Sequence, residues 1–218
     1  MMKKVLILAA NGQIARIVEQ RLLTEPAFQD VALTLFLRKA SRLAQLAEND
    51  RVTLIDGDIT DVTSVTKAMA GQTMVFVAVV DHDANNRLTR NVIAAMQATG
   101  VKRVLFTNVL GLYHEVPGEF GRWNEATIGS GMASARQSDA LLAASGLDYT
   151  TLRLPWLNDR DEVTYSVTTK DQPYAGVSGS RQSVADVVVR LIADPNAYNR
   201  DSIGIADPAT QGQDRPVY

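Results

Sequence analysis

The stretch Lys4–Arg16, KVLILAANGQIAR, constrains this chain most. Val5-Leu6-Ile7-Leu8 is a short apolar run, the pattern of a strand buried on both faces. Ala9-Ala10-Asn11-Gly12 is a turn of small residues, and from Gln13 the spacing becomes helical, with Ile14, Ile17, Val18 and Leu22 on one face. Strand, tight turn and helix in that order bring backbone N–H groups and the positive end of a helix dipole to one point, where a phosphate can sit. The small residues fall as Ala9-x-x-Gly12-x-x-Ala15, with alanine in the first and third places of a GxxGxxG spacing. The first place must allow the turn, the second lets the backbone approach a pyrophosphate, and the third lets helix pack on strand. Only at Gly12 would a side chain stand in a ligand's way. An ordinary strand–helix turn reads the same way, and Ala9 and Ala15 leave open a sheet that no longer binds a nucleotide.

The alternation continues along the chain. Apolar runs at 31–37, 52–55, 73–80, 102–107, 149–154 and 203–206 predict strands. Between them the spacing predicts helices: Ser41 capping one through Leu46, Asp61 capping 62–69, then 85–98, 132–144, and Ser183 capping one through Ile192. Residues 108–131 read as a loop, and 163–179 alternate as a small hairpin. Strands joined by crossover helices are parallel. The expected fold is therefore α/β, a doubly wound, Rossmann-like parallel sheet. At 218 residues it forms one domain, 1–218, with about 155–182 as a small C-terminal substrate-side subregion. The chain has no cysteine, which excludes disulfides, thiolate chemistry and Cys-ligated metals and fits a cytoplasmic protein. A net charge of −2 with interspersed signs argues against nucleic acid. No apolar run reaches the ~20 residues of a membrane span. Met1-Met2-Lys3-Lys4 opens as a leader does, but Asn11-Gly12-Gln13 ends the apolar stretch too soon for one. His82, between Asp81 and Asp83, lacks the further ligands a metal needs.

Ligands of such sheets bind beyond the carboxyl ends of the strands, where strand order reverses. Ala9, Asn11, Gly12, Gln13 and Ile14 fall there after the first strand and Arg38-Lys39 after the second. A guanidinium at Arg38 suits the 2′-phosphate of NADP, where a carboxylate would repel it. Asp58 and Ile59 follow the third strand, with Asp58 able to accept from an adenine amino group, and Val79 ends the fourth. Thr107 and Pro155, at the ends of the fifth and sixth, complete the cofactor-binding set. Each has a plainer reading, a solvated basic pair for Arg38-Lys39, a turn aspartate for Asp58 and core packing for Val79.

With these residues in place the chain resembles the atypical short-chain dehydrogenases/reductases of the NmrA-like, NAD(P)-binding group. The resemblance spans nearly the whole length: LAANGQIA, Arg38, DGDITD, VKRVLFTNVLGLY, YHEVPGEFGRWN, SGLDYTTLRLPW and SVADVVVRLI. It implies NADP(H) as the preferred cofactor, with NAD(H) the alternative. Catalysis in the larger superfamily uses serine, tyrosine and lysine, the last two as YxxxK. Here the fifth strand ends in Asn108-Val109, and SGMASARQSDALL has Ala135 where a tyrosine is expected and Arg136 as the nearby cation. The groups left near a nicotinamide are Asn108, which can bond a carbonyl, and Tyr113 or His114, which can supply a proton; Asn108 and Tyr113 are the catalytic candidates. Trp123 and Trp156 are candidates for a substrate pocket. The expected function is hydride transfer from NADPH to a small molecule (quinone, flavin or carbonyl) without the Ser-Tyr-Lys set. The alternative is a non-catalytic, NADP(H)/NAD-sensing regulator. A small-molecule partner is expected, with neither nucleic acid nor membrane, and the oligomeric state stays open.

Overall fold

The computed structural model describes residues 2–218. Ten strands alternate with six α-helices: β1 (Lys3–Leu8), α1 (Gln13–Thr24), β2 (Val31–Leu37), β3 (Val52–Asp56), α2 (Val62–Met69), β4 (Met74–Val77), α3 (Arg87–Thr99), β5 (Arg103–Val109), α4 (Gly118–Ile128), α5 (Gly131–Ala144), β6 (Asp148–Leu154), β7 (Trp156–Asn158), β8 (Ser166–Thr168), β9 (Ser178–Ser180), α6 (Arg181–Ala193) and β10 (Asp201–Ala206). Eight strands form one sheet in the order β3-β2-β1-β4-β5-β6-β10-β8, all parallel except the edge strand β8. The chain leaves β1 toward β2 and β3, then returns to the other side of β1 at β4. The strand order thus reverses between β1 and β4.

Both faces of the sheet are covered, which is why its strands read as continuous apolar runs. On one face Val5, Ile7, Leu33, Leu35 and Phe76 pack with Val18 and Leu22 of α1 and Val188 of α6. On the other, Leu6, Leu8, Val75, Val77 and Phe106 meet Val65 of α2, Val92 of α3 and Leu142 of α5. One polar side chain enters the first layer without compensation. Glu19 of α1 is 1% exposed, and neither of its carboxyl oxygens has a hydrogen-bond partner. Its nearest charge is Arg16, with Nε 3.7 Å away. Burial pushes the Glu19 carboxyl up to about 8. Among the described residues no helix is long and apolar enough to cross a membrane.

Four local expectations change. Residues 108–131 are not all loop, because they contain α4. Its glycines and polar residues hide the helical period, and Phe120 and Trp123 hold it by packing beside Trp156. Residues 163–179 make no hairpin. β8 joins the main sheet on β10, and β9 pairs with β7. Alternation reports an extended chain but not its partner. Residues 40–46 form a 3-10 segment entered from Lys39 in the left-handed conformation, without a Ser41 cap. Helix α6 begins earlier than expected: Ser180 caps it by accepting from the Ser183 N–H at 2.9 Å.

Candidate dinucleotide and acceptor site

The chain leaves β1 through a bend that the sequence makes costly. Ala9 has φ +62°, a left-handed conformation that disfavours any Cβ by about 1–2 kcal/mol. The Gly12 N–H donates to Ala9 O at 3.0 Å and closes the turn. Gly12 is the N-cap of α1, with φ −65° and ψ 152°, and no side chain caps the helix. The first N–H groups of α1, at Gln13 and Ile14, have no helical carbonyl to reach. A Cβ on Gly12 would lie 3.4 Å from Ala9 O and 3.5 Å from Ala78 O, ordinary contacts at an ordinary φ. The fold itself therefore has no need of glycine here. What glycine leaves is a main chain free of a side chain at an uncapped helix terminus.

On the β2 side of this turn lies a cavity of about 240 Å³. Five expected residues converge on it, Ala9, Arg38, Asp58, Ile59 and Val79, together with Phe36 and Leu88. The bend after β2 is fixed by Asp56 at the end of β3, whose carboxylate accepts from the N–H groups of Lys39 (3.3 Å) and Ala40 (3.0 Å). That leaves Arg38 exposed at the cavity rim, whereas Lys39 is not part of the lining. The Asp58 Oδ1 accepts from the Thr60 N–H (2.9 Å) and Oγ1 (2.8 Å). Those bonds, with the Arg38 charge nearby, hold its carboxyl below the usual carboxylate range. Gly57 shapes the floor, since a Cβ there would come within 2.4 Å of the Phe36 ring.

Beyond the turn, at the ends of β4, β5 and β6, lies a second cavity of about 370 Å³. Asn108 and Pro155 line it, as does Trp156, while Thr107 is buried one residue short of it. The Asn108 side chain is already engaged. Its Nδ2 donates to Ala135 O of α5 at 3.0 Å, and its Oδ1 accepts from the Val109 N–H at 2.8 Å. The indole of Trp156 donates to Asn124 Oδ1 of α4 at 2.9 Å and lies 4.9 Å from the Trp123 ring. Arg181, at the start of α6, and Tyr218 close the rim. No periodic signal in the chain marks either of them.

Tyr113 is elsewhere. Its hydroxyl donates to Asp139 Oδ2 of α5 at 2.5 Å. The other oxygen of Asp139 accepts from Thr151 Oγ1 at 2.6 Å. Thr151 is three residues before the end of β6, about 10 Å below the strand ends, beyond which ligands of such sheets bind. Burial, then the Asp139 carboxylate, push the phenol well above its ordinary value. Loop 110–116, which carries Tyr113, is pinned by Glu115. That carboxylate accepts from the N–H groups of Gly111 and Tyr113 and pairs with the fully buried Arg153. His114 stands exposed on this loop, within 3.7 Å of Glu125.

Known proteins share this architecture. An NAD(P)H-binding family model matches residues 9–195. Quinone oxidoreductase 2 of Escherichia coli strain K12 is 25% identical over 197 residues, 86% of this chain and 63% of that protein, so the chain spans less than two thirds of that relative's length. A Rossmann-fold NAD(P)-binding family protein from Shigella flexneri is 34% identical with a TM-score of 0.81, each chain covered in full. A short-chain dehydrogenase/reductase (wide type) from Veillonella parvula, solved in complex with NADP, is 27% identical with a TM-score of 0.90, again over the whole of both chains. With its bare turn at the reversal of strand order, the chain belongs to the NAD(P)H-binding family, among the atypical short-chain dehydrogenases/reductases.

Proposed function

We propose that this chain is an NADP(H)-dependent oxidoreductase that passes a hydride from NADPH to a small-molecule acceptor, a quinone, flavin or carbonyl compound. The observation that carries it is the pair of cavities on either side of the Ala9–Gly12 turn. A dinucleotide has two halves joined by a pyrophosphate, and the surface offers a recess at the strand ends on each side of an uncapped helix terminus. Asn11, Gly12, Gln13 and Ile14 hold the pyrophosphate. Asp58, Ile59 and Val79 receive the adenosine, and Arg38 with Lys39 takes the 2′-phosphate. Thr107 and Pro155 bound the nicotinamide end. A reduced nicotinamide supplies the hydride; the chain's own groups bind, orient and exclude water. Of the two catalytic candidates, Asn108 forms part of the acceptor wall, and Tyr113 braces the loop beside it. An acceptor that needs no enzymic acid, such as a quinone, suits that division best.

The same observation about Asn108 and Tyr113 favours a second reading. With both polar groups tied to α5, the chain can serve as an NADP(H)/NAD sensor without turnover. Titration of the protein with NADPH and NADH, followed by tryptophan fluorescence, tests binding. Loss of the reduced cofactor's absorbance with menadione, flavin mononucleotide and benzaldehyde tests turnover. The oxidoreductase reading expects tighter NADPH binding and turnover of at least one acceptor. Tight binding with no turnover on any of them favours the sensor, and no affinity for either cofactor overturns both.

A further inference from the structure

We infer that the chain has a further ligand site, for the carboxylate or phosphate of a small acid, in the cavity of about 230 Å³ between loop 110–116 and α4, with Asn124 and Arg122 as its anchors. The inference goes beyond the oxidoreductase reading and does not rest on it. This cavity shares no lining residue with either of the two beside the Ala9–Gly12 turn. Its ground is the Asn124 side chain, which is buried in a residue 1% exposed. An indole N–H can only donate, so the bond from Trp156 at 2.9 Å fixes the amide with its oxygen toward Trp156. The amide nitrogen therefore turns the other way, toward Gly111, where a Cβ would lie 3.0 Å from it. That nitrogen carries two N–H donors and bonds to nothing among the described residues. It is not one of the sealed orphans, such as Asn86 Oδ1. It opens on the cavity that Asn124 lines.

The rest of the lining decides the sign of the ligand's charge. Arg122 stands exposed on the rim and enters no ion pair among the described residues. Glu125, the carboxylate of the lining, is already bonded to Arg136 Nη2 at 2.8 Å and lies 3.7 Å from His114 Nδ1. Gly118 and Gly121, one turn apart on α4, keep that side of the wall free of side chains. What stays open is an amide donor at the floor and a guanidinium at the rim. Such a pair suits a group that only accepts and carries negative charge, a carboxylate or a phosphate. A cation would meet Arg122, and a neutral amide would set its own donors against the Asn124 donors. At about 230 Å³ the cavity falls below the ~300 Å³ at which pockets for drug-sized ligands begin, so an acid of a few carbon atoms fits and a nucleotide does not.

Both tryptophans of the chain report on this cavity, Trp156 through its bond to Asn124 and Trp123 from beside Arg122. Binding is therefore measured as a saturable change in tryptophan fluorescence, on the full chain at constant ionic strength, with malonate, inorganic phosphate and the uncharged malonamide. Each titration is run with and without NADP. Malonate or phosphate is expected to bind with a dissociation constant on the order of 1 mM, and malonamide at least about tenfold more weakly. NADP should leave the affinity for the acid unchanged. Arg122→Gln alters an exposed residue and is expected to weaken the acid at least about fivefold, with the dissociation constant of NADPH unmoved. Asn124→Asp keeps an oxygen for the Trp156 N–H and replaces the open amide by a carboxylate, so binding of the acid should vanish. If that variant does not fold, Arg122→Gln decides. The inference is overturned if neither acid gives a saturable change, if malonamide binds as tightly as malonate, or if either folded variant keeps full affinity. Affinity that disappears on adding NADP places the anion at the Ala9–Gly12 turn and overturns it too. Failure of the chain to bind NADPH counts against the oxidoreductase proposal alone, and is read in the separate NADPH titration.

Discussion

The two cavities beside the Ala9–Gly12 turn are built differently. The one on the β2 side is walled mostly by residues at or just after the ends of β1, β2, β3 and β4, with Leu88 of α3, and it offers open polar groups: the exposed Arg38 and the Asp58 carboxylate. The one on the β5 side draws its wall from the ends of β4, β5 and β6 together with α4, β7, α6 and residue 218, and its Asn108 and Trp156 side chains are already bonded to the protein. The first is a surface for reading charge and hydrogen bonds; the second is a surface for burying area. A fixed cofactor needs the former. An acceptor that must enter and leave is better served by the latter, because few bonds must break when product departs.

The sharpest way to break this contrast is at Gly12. A Cβ at Gly12 is accommodated by the fold, because its contacts are 3.4 Å and 3.5 Å and φ is −65°, so the substitution made is Gly12→Leu. The longer side chain fills the space over the helix terminus. Affinity for NADPH should fall at least about a thousandfold, about 4 kcal/mol, while the thermal midpoint moves by no more than about 2 °C and saturable menadione binding persists. If menadione binding is lost in the same proportion, the two cavities are one site and the contrast fails.

Next in size is an effect that should touch neither cavity. Glu19 lies in the helix that presents the turn, buried and without a partner. Its folded value near 8 stands above the ordinary 4.5 that it regains on unfolding. Between those limits the folded chain holds more protons, so stability falls as pH rises from about 4.5 to 8 and is flat on either side. The loss is on the order of 3 kcal/mol, allowing for relaxation around the charge and the pull of Arg16. Glu19→Leu should remove that slope, measured by urea unfolding at several pH values, and leave the affinity for NADPH unchanged. A variant with the same slope would mean that the carboxyl finds water or a partner above pH 5.

The contrast also explains what could be read from the chain alone. The first cavity follows local rules: a run of apolar residues ends, and the next one or two line the recess. Ala9, Arg38, Asp58, Ile59 and Val79 were legible for that reason. Phe36 and Leu88 were missed because their apolar character had already been assigned to the core. Gly57 carries a signal of its own, a glycine between two aspartates where the Phe36 ring leaves no room for a Cβ. In the second cavity Asn108 and Pro155 follow the same strand-end rule and Trp156 was a pocket candidate, but Ile128, Arg181 and Tyr218 come from elements far apart in the chain, and no period in a sequence joins such positions. Helix α4 was hidden for a related reason. Its stability comes from Phe120, Trp123 and the Asn124–Trp156 bond, contacts made 30 or more residues away, and not from helical propensity.

Arg38 sharpens the contrast from the charged side. Arg38→Asp places a carboxylate at the rim beside Asp58, where a 2′-phosphate would be repelled and a ribose hydroxyl accepted. NADPH should bind roughly thirtyfold more weakly, about 2 kcal/mol, with NADH unchanged or slightly tighter. Both are measured by fluorescence titration at low salt, where an exposed charge counts most. Unaltered discrimination would remove Arg38 from the cofactor site and leave the plainer reading, a solvated strand end.

The smallest effect concerns Tyr113. Tyr113→Phe deletes the hydroxyl that donates to Asp139 but keeps the ring that lies 5.4 Å from the Arg153 guanidinium. Asp139 retains the Thr151 bond at 2.6 Å, so the carboxylate is not left bare. The expected cost is one hydrogen bond in a half-buried setting, about 1 kcal/mol of stability. If the acceptor cavity needs no protein acid, kcat with menadione should stay within about twofold, and its pH profile should not move. A drop of tenfold or more at unchanged stability would assign the proton to this phenol. It would also mean that loop 110–116 swings about 10 Å toward the strand ends when ligands bind, and that the polar groups seen here as spent are held in reserve.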